Sequence, residues 1–366
     1  MKLIIILLTF FSMAKALPAL PKTGQKINCA HGLKKLKMSY AKGLEIYSSH
    51  KTTLLKIKGP PEQNILISKS FVPYNCKNLV HLKAPVKSLA SISTTHIPFL
   101  EALDALDKLK GFSGVKYISS KKARELLNNK RIINLGQPLQ IEKVLKLNPD
   151  IVMAYTMPSL NRFKKLIQMG QVVVFNNEFK ESHPLGRFEW IKFFGALVGE
   201  LSKAKLIFEQ GKNNYLALKK KTRPLKRPLV LVGRNYQGSW NIPGKDTYFS
   251  KLLLDAGAEL PWKSKLSLPY NFETILKKST QIEFWLPQSP WHTKKDILNE
   301  DNKYKLLKPF KKGLIYNNNK KTNPWGGNDY WEGALVRPHL LLADLIKIFH
   351  PELLTKHKLH WYKKIK

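Results

Sequence analysis

Acidic residues are scarce in this chain. Its 366 residues include 25 Asp and Glu against 63 Lys and Arg, a formal charge of +38. Gathered on one element, that excess would indicate nucleic acid. The lysines are instead scattered through every segment with no nucleic-acid motif among them, so no nucleic-acid partner is expected. A solvated basic surface accounts for the charge, with attraction to anionic envelope surfaces or an anionic ligand as the functional reading. Cysteine is scarcer still, at two residues, Cys29 and Cys76. Two are too few for a disulfide scaffold, and without CxxC spacing they make no redox centre. Also missing are a GxSxG elbow, a cysteine nucleophile in a local signature, an HExxH pair, Cys-rich knuckles and a His-rich acidic loop. These absences argue against an exported hydrolase and against capture of bare metal. No catalytic residue, cofactor or protein-ligated metal is expected.

Apolar runs are short as well. The longest, Leu3 to Met13, follows Met1-Lys2 and ends at the small residues of Ala14-Lys15-Ala16. A charged start, a short apolar core and an A-x-A site make a secretory signal peptide, and the run falls short of the ~20 residues that span a bilayer. Cleavage after Ala16 is expected, and with it a soluble protein working in the periplasm. No cysteine directly follows the apolar run, because Lys26-Ile27-Asn28 precedes Cys29, so lipid tethering is not expected. Leu20-Pro21-Lys22-Thr23-Gly24 matches the sortase motif but lies at the wrong end of the chain, and it reads as an extended leader. In an oxidising compartment Cys29 and Cys76 are expected to pair and tie down the amino-terminal segment.

What is present is globular: 43% of residues are hydrophobic and 10% aromatic. That is enough for two domains with their own cores. Residues 17–84 carry alternating stretches such as Thr53 to Lys58 and Asn64 to Ile67, broken by Gly59-Pro60-Pro61, and read as a β-rich extension. From residue 85 to 186, strands alternate with helices: a strand at Val86 to Ile92, a helix capped by Ser93-Thr94-Thr95 and running to Asp107, a helix from Glu142, and strands at Ile151 to Tyr155 and Val172 to Phe175. Residues 187–222 read as one long helix, with apolar residues recurring from Trp190 to Phe208 and no proline between Phe188 and Lys221. Residues 223–350 resume the α/β rhythm, from the strand Leu229 to Gly233 to a final helix from Arg337 to Phe349. The basic tail, 351–366, carries little signal. The fold class expected is α/β, two Rossmann-like lobes joined by a spine helix.

The two α/β units share a local pattern. Ile141-Glu142-Lys143-Val144-Leu145-Lys146 leads into the strand at Ile151, and Phe272-Glu273-Thr274-Ile275-Leu276-Lys277 leads into the strand at Ile282 in the same register. Each places an acidic residue at a helix start, where the helix dipole favours it.

Several pieces, in this order and spacing, resemble the periplasmic substrate-binding proteins of ABC importers for ferric siderophores, haem and cobalamin. They are the Ser91-Ile92-Ser93-Thr94-Thr95-His96 turn, the Leu139 to Tyr155 block, the spine helix, Gly238-Ser239-Trp240, and Asn323 to Pro338. The resemblance covers residues 85–350. It implies two lobes joined by a long helix with a ligand in the cleft between them, a monomer that docks on a permease, and a metal chelate as cargo. A ferric siderophore comes first among the cargoes because it is the family's commonest, with haem and cobalamin as alternatives and an envelope-binding adhesion protein as the rival class. The family's docking carboxylates match Glu142 and Glu273, which suit pairing with permease arginines.

Ligands of α/β lobes sit beyond the carboxyl ends of strands. The candidates there are Thr94, Thr95 and His96, then Tyr155 and Met157, then Asn177 and Glu178, in the first lobe. In the second they are Tyr236, Trp240, Trp291, His292, Trp325, Asn328, Tyr330 and Trp331, with Arg337 matching a position near the cleft in relatives. Aromatic rings suit large planar or catechol-bearing ligands and basic groups suit an anionic chelate. His96 is a candidate ligand to haem iron or a chelated metal, with capping of the following helix or a local hydrogen bond as the alternative reading.

Overall fold

A computed structural model describes residues 30–70, 76–156 and 161–366 of the chain. The expected signal peptide, the Leu20 to Gly24 leader, Cys29 and Met157 lie outside the described residues. Cys76 is disulfide-bonded.

The alternating stretches of the extension form a five-stranded sheet: β1 (Lys34–Lys35), β2 (Leu44–Ser48), β3 (Thr52–Ile57), β4 (Gln63–Ser68) and β5 (Leu79–Lys83), side by side in that order. All neighbours are antiparallel except β4 and β5. Period-two alternation sends Leu44, Ile46, Leu55, Ile57, Ile65 and Ile67 to one face, where they merge with the main core.

Two buried carboxylates fix the extension to the rest. Glu189 accepts the backbone N–H groups of Ser39, Tyr40 and Ala41 at 2.7–3.0 Å and an ion pair from buried Lys192 at 2.6 Å. Glu181 accepts those of Lys42 and Gly43, together with the Trp190 indole N–H. Gln63 reaches further still. Its amide donates to Val173 O at 2.7 Å and accepts from Phe175 N at 3.2 Å, so one side chain pairs with an edge strand as a backbone would.

That edge belongs to the first α/β lobe. Its strands are β6 (Leu89–Ser91), β7 (Leu109–Phe112), β8 (Ile133–Asn134), β9 (Ile151–Ala154) and β10 (Val173–Phe175), all parallel, in the spatial order β10-β9-β6-β7-β8. The helices between them are α1 (Ile97–Ala102), α2 (Lys121–Asn128), α3 (Ile141–Leu147) and α4 (Asn161–Gln168). The helix expected to reach Asp107 stops at Ala102, and Asp104 turns left-handed at φ 53°.

The spine departs from expectation. Instead of one helix over 187–222, the chain makes α5 (Pro184–Glu189), α6 (Ile191–Val198) and α7 (Leu201–Thr222). Gly199 takes φ +86° as the left-handed cap of α6, and Gly195 O accepts from Glu200 N at 2.7 Å. Apolar periodicity runs straight through this reversal because both sides of it bury their apolar faces. At 22 residues, α7 is about 33 Å long.

The second lobe holds the parallel pair β11 (Val230–Val232) and β15, the latter at Phe284–Leu286, widened by single parallel bridges from Leu229 to Glu259 and from Trp285 to Ile315. Between them in sequence lies an antiparallel meander, β12 (Asn235–Tyr236), β13 (Ser239–Ile242) and β14 (Leu268–Tyr270). Its helices are α8 (Tyr248–Asp255), α9 (Phe272–Ser279), α10 (Lys294–Glu300), α11 (Lys308–Lys311) and α12 (Pro338–Phe349). The tail is a correction to the reading from sequence: β16 (Tyr316–Asn317) pairs with β17 (Lys363–Lys364), and Trp361, Tyr362 and Ile365 are buried. Three buried apolar residues among lysines form no recognisable period.

Candidate functional site

A cavity of about 750 Å³ lies between the lobes. Its first wall comes from α1 and the segment entering α2, its second from the loop 321–337, and Ile207 of α7 lies at its back. Glu101, Asp329 and Glu332 share its lining with Lys121, Lys321 and Arg337.

The loop 321–337 bridges the lobes. Glu332 is buried, and its carboxylate accepts from Ser119 N at 2.8 Å and Ser120 N at 3.1 Å. Ser120 caps α2 by accepting from Ala123 N and donates its own hydroxyl to Glu101 at 2.7 Å. Asn323 donates to Lys116 O at 2.9 Å and Ile118 O at 3.1 Å while its carbonyl holds the loop's Trp325 and Gly327 amides. Gly327 is required by this approach, since a Cβ there would lie 2.2 Å from Tyr117 O. The Arg124 guanidinium stacks 4.9 Å from the Trp325 ring centre. Burial pushes the Glu332 carboxyl up to about 8 against the pull of the two amides, with Asp329 and Glu101 adding to the rise.

Beside the cavity, a second set of groups meets at the strand ends. Arg187 of α5 pairs with buried Glu178 at 3.4 Å and stacks 4.8 Å from the ring centre of Tyr248, at the start of α8. Burial raises the Glu178 carboxyl, Arg187 opposing. Arg187 thus ties the first lobe to the second.

Of the ligand candidates named from the sequence, Arg337 lines the cavity. Its guanidinium donates through Nε to Gly333 O at 3.0 Å and lies 3.8 Å from Asp329. Trp325 and Trp331 stand exposed on the same loop, and Tyr330 is buried between Trp331 and Tyr362. Asn328 ties the loop to Asn318 O. Thr94 and Thr95 form a turn, with the Thr95 hydroxyl 2.9 Å from Ser93 Oγ. Tyr155 is half-buried, edge-on to Phe179. Asn177 is buried and accepts from the Thr156 hydroxyl. Tyr236 stands exposed on the β12–β13 hairpin, and exposed His292 lies beside Lys363.

Three candidates are corrected. His96 is fully buried, bonded to Ser91 Oγ at 2.8 Å and packed on Phe194, and burial depresses its imidazole to about 3. It is a neutral core histidine. Trp240 is also fully buried, donating to Val232 O at 2.7 Å within a cluster that includes Trp285 and Tyr304. Trp291 packs into the same cluster and donates to Glu300. Residue type alone could not separate these core rings from the exposed ones. Glu332, Glu101, Asn323 and Ser119 lie away from strand ends, so the strand-end rule does not select them, although Ser120 ahead of a helical stretch is a readable cap.

Glu142 and Glu273 are exposed in the first turns of α3 and α9. Among the described residues no group of three or more His, Cys, Asp or Glu is placed to hold a metal ion.

Two α/β lobes, a long connecting helix and a cavity between the lobes define a solute-binding protein of the ABC-importer class. The chain belongs to the periplasmic binding protein family, whose model matches residues 89–317. It is 24% identical over 302 residues to an uncharacterized lipoprotein of Methanocaldococcus jannaschii, covering 78% of this chain and 70% of the relative. Among solved structures, it is similar to a possible iron-binding, periplasmic solute-binding protein of Staphylococcus epidermidis, with a TM-score of 0.56 and 17% identity over 72% of this chain and 98% of that one. It is also similar to the triscatecholate siderophore binding protein of Bacillus subtilis, solved with ferri-bacillibactin, with a TM-score of 0.54 and 19% identity over 76% of this chain and 98% of that one. No described helix is long and apolar enough to cross a membrane.

Proposed function

We propose that this protein captures an anionic metal chelate, a ferric siderophore before haem or cobalamin, in its interlobe cavity and delivers it to the permease of an ABC importer. The observation that carries the reading is the cavity itself, with Lys121, Lys321 and Arg337 in its lining and the exposed rings of Trp325 and Trp331 on the loop that closes it. Its volume falls in the range of small-molecule sites, and Lys121, Lys321 and Arg337 offer partners for a ferric chelate's negative charge beside the carboxyls of Glu101, Asp329 and Glu332. On this reading Glu142 and Glu273 meet guanidinium groups of the permease, one carboxylate per lobe fixing orientation.

Titrating the mature protein with ferric tris-catecholate and hydroxamate siderophores, haemin and cobalamin, followed by tryptophan fluorescence, tests this. Saturable quenching by a ferric chelate is expected, and Arg337→Ala should weaken it. Saturation by haemin or cobalamin alone would transfer the cargo to that class, and no saturation by any of them would overturn the carrier reading.

A further inference from the structure

The family model ends at residue 317, yet the second wall of the cavity begins at residue 321. That wall has no helix or strand between β16 and α12, so something else must hold its shape. The contacts lead to the last ten residues of the chain.

Asp344 of α12 is fully buried. It accepts the backbone N–H groups of His360 at 2.8 Å and Trp361 at 2.7 Å, as well as His357 Nε2 at 2.7 Å. The tail is therefore fixed to α12 by one carboxylate. Trp361, held this way, touches the cavity loop on several sides. Its indole N–H donates to Asp329 at 2.8 Å, its carbonyl accepts from Lys320 N at 3.0 Å, and Arg337 and Lys321 lie over its ring at 5.4 and 5.9 Å. Tyr362 packs edge-on against Tyr330 at 5.7 Å. Asp329, Arg337 and Lys321 are all cavity-lining groups.

We infer that the carboxyl-terminal segment is part of the binding apparatus, with Trp361 as the positioning residue that holds Asp329, Arg337 and the whole 321–333 loop against the first lobe. The indole fixes Asp329 from behind, Asp329 faces Arg337, and the loop so held presents Glu332 to Ser119 and Ser120. A loop with a long irregular path keeps one shape only when its polar groups are each claimed by a rigid neighbour, and a buried tryptophan with a single donor is such a neighbour.

The inference rests on the reading of this cavity as the chelate site, and the test separates the two. Trp361→Phe keeps most of the ring packing and removes the indole N–H, and Asp329→Ala removes the same bond from the other side. Hydrogen exchange on the full chain is expected to speed by about tenfold in residues 116–121 and 320–333 in both variants, with exchange in β6 and β9 unchanged. Ser119 and Ser120 lie on the other lobe and do not touch Trp361, so a general loss of stability would not single them out. Binding of a ferric tris-catecholate is expected to weaken by about tenfold. Unchanged exchange in both variants overturns the inference. Faster exchange in the variants, with a wild-type protein that binds no chelate, supports the positioning role while removing the chelate reading.

Discussion

The two walls of the cavity are built in opposite ways. The first-lobe wall is set by regular elements: α1 with Glu101, and the entry to α2, where Lys121 lines the cavity and the Ser119 and Ser120 amides hold Glu332. The second-lobe wall offers charged and aromatic side chains from an irregular loop held by a tail. A wall carried by helices has its geometry set by the regular fold, whereas a wall carried by an irregular loop needs separate supports. The difference teaches where tuning for a particular solute can occur without disturbing the fold: in the loop, with the sheet left alone.

The largest effect expected lies outside the cavity, on the rigid side. Glu189→Ala would leave Lys192 buried without its partner and three backbone amides without an acceptor, and should cost about 3–5 kcal/mol in urea unfolding. A smaller loss would mean the first lobe owes less to the extension than its contacts indicate. On the loop side, Gly327→Ala should cost about 1–3 kcal/mol by forcing the loop from Tyr117, with chelate affinity falling in parallel. Unfolding and binding assays on the same sample would show whether the two walls separate.

Acidity sharpens the contrast further. The Glu332 carboxyl titrates near 8 when buried against the first lobe and near 4.5 when free, so the closed contact retains a proton that an opened one releases. Between those values the contact should weaken as pH rises and be firmest toward pH 4.5. Exchange at Ser119 and Ser120, corrected for intrinsic rates, should show this slope, and Glu332→Gln should flatten it. The groups facing Glu332 in the cavity, Glu101, Asp329, Lys121, Lys321 and Arg337, set the background against which it is measured. The smallest structural effect is expected for Glu142→Ala with Glu273→Ala, which should leave melting and chelate affinity intact while abolishing uptake. Lost affinity would assign these carboxylates a different task.

Much of the fold was legible because it depends on period. Alternation exposed the extension's strands, and buried runs such as Ile151 to Ala154 exposed the parallel sheet. The spine was misread at Gly199, because apolar spacing does not register a reversal when both segments are buried. The site was legible only in part. Rules about strand ends chose His96 and Trp240, whose rings turn into the core, and passed over Glu332, whose value comes from a contact about two hundred residues away in sequence. The tail went unread for the same reason: Trp361 matters through Asp329 and Asp344, and no local pattern announces such partners.

The Gln63 side chain on the edge of β10 has a consequence for life in a crowded compartment. A parallel sheet that ends in open amides and carbonyls invites strands from other molecules, and self-association follows readily at such margins. One amide group occupies that margin from within the same polypeptide. The extension thus closes with its own side chain a margin that would otherwise be open to another molecule's strand.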